Sequence, residues 1–149
     1  MLFVHQAGAA IVLVALTILL QCAGMAALIG WAKAHLPARL QRTGRIHSAV
    51  LMVRLTGLIV FLHLLEILLW TWFYRLNCFA TWESAFYFST VSYSTVGYGD
   101  LVLQGRWRLL GPIESLTGVL MCALSASFLF AVVTRLVQHD EELEPKGPT

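Results

Sequence analysis

Three long apolar stretches, separated by polar or charged segments, dominate the chain. The first runs from Ala7 to Ala32, the second from Leu55 to Phe73 and the third from Leu109 to Val137. A helix crosses a hydrocarbon core about 30 Å thick with about 20 mostly apolar residues, so each stretch is long enough to span a membrane. The pattern therefore predicts an all-α integral membrane protein with three transmembrane helices.

A shorter segment, Thr81 to Tyr93, lies between the second and third stretches and is rich in aromatic and hydroxyl side chains. It is too short to span a bilayer, and its length is typical of segments that enter the membrane and return. Thr81 is a candidate N-cap and Glu83 falls in the first turn, so we predict a helix over 81–93. The partial negative charge at the C-terminal end of this helix would then face the membrane centre.

The composition agrees with a membrane protein and excludes other classes. Of 149 residues, 58% are apolar and 12% are charged, whereas roughly 25% are charged in ordinary soluble domains. A net charge of +2 is too small to indicate a nucleic-acid surface, so we expect no nucleic-acid partner. Three cysteines at unrelated spacings predict neither a disulfide framework nor a zinc site.

The positions of the basic residues predict the orientation. Residues 33–54 form a basic connection, which the positive-inside rule places in the cytoplasm. The N-terminus is then outside, and a short tail over 138–149 is cytoplasmic. Residues 1–6 contain no Lys or Arg, so we expect 1–32 to be an extra N-terminal transmembrane helix rather than a cleaved signal. Four cations of the connection could also contact anionic lipid headgroups. They are Lys33, Arg39, Arg42 and Arg45.

The most informative motif follows the short segment: Thr95-Val96-Gly97-Tyr98-Gly99-Asp100, preceded by Ser94. With this motif between two apolar spans, the chain resembles the pore domain of potassium channels over residues 55–137. The resemblance implies an outer helix over 55–74, a pore helix over 81–93, a selectivity filter over 94–100 and an inner helix over 109–137. It also implies a homotetramer, because the chain has no internal repeat and supplies one filter segment.

Elementary chemistry explains why a filter needs these residue types. A dehydrated cation requires oxygen atoms in place of its water, and backbone carbonyls supply them without a titratable group. Carbonyls that all face one axis require alternate residues in left-handed or nearby conformations, which Gly97 and Gly99 reach without steric cost. We expect K⁺ to bind at Thr95, Val96, Gly97 and Tyr98 as the permeant ion, with no resident cofactor. Val96 and Tyr98 should point away from the axis and pack into the surrounding wall.

Residues around the filter depart from the family pattern. Many potassium channels carry a tryptophan pair in the pore helix, and one indole braces the filter aspartate. The matching positions here hold Tyr87 and Phe88, so we expect Asp100 to lack that partner. Val91 occupies a position where some relatives keep a carboxyl group. We therefore assign filter support to Ser94, Asp100, Tyr87 and Phe88.

The third span offers candidates for a hinge and a gate. Gly118 could act as a bend point, as the resemblance implies, or could serve helix packing alone. Phe128 and Phe130 could narrow the pore as a hydrophobic gate or could face lipid. No span contains regularly spaced arginines, so steep voltage gating is not expected.

Polar residues inside the spans predict a buried cluster. His63 and Glu66 are three residues apart and so share one helix face, and charged groups in a membrane avoid lipid. We expect Gln21 and Glu114 to join them, with Ser84, Ser89 and Thr90 of the pore helix as partners. Both a structural role and a proton-sensing role remain open for this cluster.

The sequence favours a potassium channel subunit that conducts passively, and not an enzyme. Two alternatives remain open. One is a non-conducting or modulatory subunit with the same architecture, and the other is a weakly selective cation channel.

Overall fold

The computed structural model describes residues 2–40 and 45–143, which form four α-helices, one short 3-10 helix and no strand. The helices are α1 (Leu2–Leu40), α2 (Arg45–Asn77), α3 (Trp82–Tyr93) and α4 (Leu110–Leu143), and the 3-10 helix is Gly105–Trp107. Among these residues, three segments are long and apolar enough to cross a membrane: Gln6–Trp31, Ala49–Asn77 and Leu110–Arg135. The predicted all-α membrane fold is confirmed.

The long helices extend beyond the apolar stretches. Helix α1 continues to Leu40 and α2 already begins at Arg45, so most of the connection predicted over 33–54 is helical. Hydropathy marks where a chain is apolar, while helix ends depend on backbone hydrogen bonds and capping. Arg42 and the side chains of Lys33, Arg39 and Arg45 lie outside the described parts, so the headgroup prediction stays a prediction.

Helices α2 and α4 each contact the other three helices. Near α3, the buried rings of Trp70 and Tyr74 pack with Leu13 of α1, Phe88 of α3 and Leu110 of α4. Toward the opposite end, a second core joins α1, α2 and α4. Its buried members are Leu28, Leu51, Leu55, Ile59 and Val132. Helix α1 therefore packs against both α2 and α4 over at least residues 10–28.

Helix α3 begins and ends where its local sequence requires. Thr81 has an extended backbone, and its side-chain oxygen accepts a hydrogen bond from the Ser84 N–H at 3.2 Å, which makes it the N-cap. Glu83 lies in the first turn, where a negative charge is favourable. At the other end, the Ser94 hydroxyl donates to the Thr90 carbonyl at 2.6 Å, and the chain leaves the helix at Thr95.

Candidate functional site

The loop that follows α3 has an alternating backbone conformation. Thr95, Gly97 and Gly99 have φ angles of 61°, 58° and 79°, while Val96 and Tyr98 are not in the positive-φ region. The left-handed conformation predicted for both glycines is thus present. When every second residue of an extended chain has a left-handed conformation, successive carbonyl groups point toward the same side of the chain.

The left-handed conformation of Thr95 was not predicted. A β-branched residue in this region costs about 1–2 kcal/mol, and such strain persists only where the surroundings enforce it. Two backbone hydrogen bonds do so here. The Thr95 N–H donates to the Ser92 carbonyl at 3.0 Å, and the Gly97 N–H donates to the Val91 carbonyl at 3.2 Å. The last turn of α3 therefore fixes the first residues of the loop.

The loop is largely exposed within its own chain. Val96 is 53% exposed and Tyr98 is 72% exposed, so the wall into which they were predicted to pack is not formed by the described residues of this chain. Behind the loop lies a cavity of about 570 Å³, bounded by α3, by the segment after the loop and by the start of α4. The loop is held at its base, while its tip has no close packing from the described chain.

Asp100, at the end of the loop, is hydrogen-bonded to Tyr87, one of the residues assigned to filter support. The Tyr87 hydroxyl donates to Asp100 Oδ2 at 2.8 Å, so a phenol from a residue already assigned to filter support takes the place of the tryptophan indole that the chain lacks. A phenol on the same helix reaches the carboxylate as an indole would. This hydrogen bond also raises the pKa of Tyr87. Phe88 instead faces the core, with its ring edge-on to Tyr74 at 5.0 Å.

The polar residues predicted to form one cluster are divided by their hydrogen bonds into three groups. In the first, the Tyr93 hydroxyl donates to Glu66 Oε2, and His63 Nδ1 lies 2.8 Å from the Tyr93 hydroxyl and 3.1 Å from Glu66 Oε2. The predicted shared face of His63 and Glu66 is present. This group joins α2 to the C-terminal end of α3.

The second group is centred on Glu114 of α4. Its Oε2 accepts a hydrogen bond from the Tyr74 hydroxyl at 2.8 Å, and its Oε1 accepts one from the Ser89 hydroxyl at 2.5 Å. All three residues are fully or almost fully buried. Glu114 therefore links α2, α3 and α4.

The third group contains Gln21, which bonds to α4 rather than to His63 or Glu66. Of the predicted hydroxyl partners, Ser89 alone contacts a member of the proposed cluster. Ser84 contacts Thr81, and Thr90 donates to the Phe86 carbonyl of its own helix. Tyr74 and Tyr93 were missed, although phenol groups at this depth in a membrane protein are a usable signal of polar partners.

The candidate hinge and gate residues occupy different surroundings. Gly118 is buried against the end of α3: a Cβ at this position would lie 2.3 Å from the Tyr93 carbonyl oxygen. Phe128 packs against the core formed with α1 and α2, whereas Phe130 is 74% exposed. Close helix packing thus accounts for a glycine at 118, and the two phenylalanines lie on different faces of α4.

Comparison with known proteins identifies one relationship. A family model described as "Ion channel" matches residues 49–135, more than half of the chain, and covers most of α2, all of α3 and the loop, and most of α4. Helix α1 lies outside this match. Comparisons with curated proteins and with solved structures gave no significant match.

Proposed function

Because the chain belongs to this ion channel family, we propose that it is a potassium-selective channel subunit that conducts K⁺ passively as a homotetramer. Residues 94–100 would form the selectivity filter, α3 the pore helix, α2 the outer helix and α4 the inner helix. Conduction of this kind needs no chemical step and no resident cofactor, since the permeant ion is the only ligand.

The alternating backbone of the filter loop is the observation that carries this proposal. Positive φ angles at Thr95, Gly97 and Gly99 favour carbonyl oxygens that face one axis. Four such loops would supply rings of oxygens from Thr95, Val96, Gly97 and Tyr98 in place of the hydration shell of K⁺. The Thr95 hydroxyl would add a further oxygen at the inner end. The Tyr87–Asp100 hydrogen bond would hold the outer end.

The exposed surface of the filter loop in a single chain supports fourfold assembly. Each chain supplies one filter segment, and one loop cannot surround an ion. The exposed side chains of Val96 and Tyr98 would become buried against neighbouring copies. Three further copies of this chain are therefore the proposed partners.

The proposed orientation follows from the charges. The cations concentrated over residues 33–54, at the end of α1 and the start of α2, would place that end of the helices in the cytoplasm, with the N-terminus outside and the C-terminus inside a cell membrane. Lys33, Arg39, Arg42 and Arg45 would then lie at the level of anionic headgroups. The C-terminal end of α3 would face the membrane centre and stabilise a waiting cation there.

Ion flux from the purified chain in liposomes tests the proposal. We expect potassium efflux from loaded vesicles, and a reversal potential in planar bilayers that follows the potassium gradient when sodium is present on the other side. A folded, tetrameric but silent protein would instead support a non-conducting or modulatory subunit. A reversal potential near zero under the same gradient would support a weakly selective cation channel.

A substitution in the filter provides a sharper test. Gly97→Ala places a side chain at φ 58°, at a cost of about 1–2 kcal/mol in every chain. The conducting arrangement of a tetramer should become at least about tenfold rarer, and the reversal potential should move toward zero. Single-channel recording and bi-ionic reversal potentials measure both effects.

Gly105→Ala is the matched control for this variant. Gly105 has a φ of 60°, and, as at Gly97, a Cβ there would meet no described heavy atom within 4 Å. The local strain is therefore the same, but Gly105 lies outside the filter. Equal losses of selectivity in both variants would contradict the assignment of the filter to residues 94–100.

A further inference from the structure

Helix α1 is bonded to the inner helix through one buried amide. Gln21 is 1% exposed, and its Nε2 donates to the Ser125 hydroxyl at 2.9 Å and to the Met121 carbonyl at 3.2 Å. Ser125 is also buried. This contact lies outside the residues matched by the ion channel family, because α1 precedes residue 49.

An apolar side chain at position 21 would pack α1 against α4 at a lower cost than an amide does. Polar side chains inside a membrane are costly and are usually functional. Gln21 Oε1 is buried and has no hydrogen-bond partner among the described residues, and an unsatisfied buried acceptor lowers stability. A leucine would fill the same space without that cost. The amide is therefore better explained by the specific bond that it makes than by stability.

The position of the bond along α4 is informative. Gly118 lies against the Tyr93 carbonyl of the pore helix, and Met121 and Ser125 occupy the next two turns. One end of α4 is thus fixed to the pore helix, while α1 binds the segment immediately beyond it. If the inner helix moves when the pore opens, as packed helices do in switching proteins, this segment must move relative to α1.

We propose that α1 restrains the inner helix and that Gln21 is the residue that positions it. The two hydrogen bonds from its amide stabilise one arrangement of α4 and so set the ratio of open to closed pores. This inference rests on the proposed function, since it concerns the gating of a channel. It assigns a role to α1, which lies outside the residues that the family model matches.

Single-channel recording of Gln21→Leu tests the inference. We expect the ratio of open to closed time to change by at least about fivefold, because two hydrogen bonds that favour one state are lost. Unit conductance and the reversal potential should not change, since α1 does not contribute to the filter. A ratio within twofold of the original would overturn the inference.

Two further variants separate positioning from general stability. Cys22→Ser changes the adjacent exposed residue and should leave gating unaltered. Ser125→Ala should shift the ratio in the same direction as Gln21→Leu, and the double variant should shift it by less than the two effects combined, because both remove one interaction. Thermal stability of Gln21→Leu should be equal or higher. Additive effects, or a shift that only accompanies lower stability, would contradict a positioning role.

Hydrogen–deuterium exchange in nanodiscs distinguishes failure of this inference from failure of the proposed function. If the original chain is silent, the conduction proposal fails, yet the restraint can still be measured. Exchange over residues 119–135 should be at least about threefold faster in Gln21→Leu than in Cys22→Ser. Equal exchange in the two variants would show that Gln21 does not restrain α4.

Discussion

Gly118→Ala is expected to prevent most of the protein from reaching its folded, assembled state. The added Cβ would lie 2.3 Å from the Tyr93 carbonyl oxygen and 3.1 Å from its carbonyl carbon. Both atoms belong to the backbone and cannot rotate away, so α3 and α4 must separate by about 1 Å to reach ordinary contact distance. Overpacking typically costs about 1–3 kcal/mol, and a contact this short with backbone atoms should lie at the upper end of that range in each chain.

The end of α3 has little freedom to yield. The Ser115 hydroxyl donates to the Ser92 carbonyl at 2.7 Å, and the Tyr93 side chain is bonded to Glu66. Moving α3 would also displace Thr95, whose N–H donates to the Ser92 carbonyl. Damage at Gly118 should therefore reach the proposed filter loop as well as the helix interface.

The yield of the proposed tetramer in size-exclusion chromatography, together with thermal unfolding, measures this effect. Gly57→Ala on α2 is the control, since a Cβ there would meet no described heavy atom within 4 Å, and alanine should stabilise an exposed helical position by about 0.5–1 kcal/mol. If Gly118→Ala instead assembles normally and only opens less often, Gly118 acts as a hinge and the packing interpretation is wrong.

Glu114→Ala is expected to lower the free energy of unfolding by about 3–5 kcal/mol. The variant leaves a cavity beside three helices and removes the acceptor of the buried Tyr74 hydroxyl, which bonds to no other acceptor among the described residues. The Ser89 hydroxyl also donates to the Ile67 carbonyl at 3.0 Å. Removing Glu114 therefore leaves this hydroxyl with an acceptor, and Ser89 adds less to the loss of stability than Tyr74 does. Chemical or thermal unfolding in detergent, followed by circular dichroism, measures the difference.

Two further variants give the stabilities with which Glu114→Ala should be compared. Tyr74→Phe removes the donor and leaves Glu114 bonded to Ser89, so its cost should be about 1 kcal/mol. Glu83→Ala changes an exposed carboxylate in the first turn of α3 and should cost about 0.3–1 kcal/mol. Similar stabilities for Glu114→Ala and Glu83→Ala would mean that Glu114 does not hold the three helices together.

Local sequence signals predicted the features that depend on neighbouring residues. The N-cap at Thr81 follows from a hydroxyl residue at the start of a short helix. The left-handed backbone at Gly97 and Gly99 follows from the absence of a side chain at alternate positions. Apolar length predicted the membrane spans, because the bilayer imposes a minimum length whatever the tertiary structure.

Features that depend on three-dimensional packing could not be predicted in this way. The bond between Tyr87 and Asp100 joins residues 13 positions apart, and no periodicity relates them. Gln21 reaches α4 across 104 positions, so its assignment to the His63–Glu66 group failed. The positive φ of Thr95 is imposed by bonds to α3 and opposes the preference of a β-branched residue.

The exposed tip of the loop over residues 94–100 also affects how safely a cell could synthesise this protein. In the proposed tetramer, Val96 and Tyr98 would be covered only by neighbouring copies, so an incomplete assembly would leave the loops without lateral support. Ions would then not leak through incomplete assemblies during synthesis, because conduction would require an ordered passage that only the last subunit completes. The contacts that would order the proposed filter would thereby also restrict conduction to the complete tetramer.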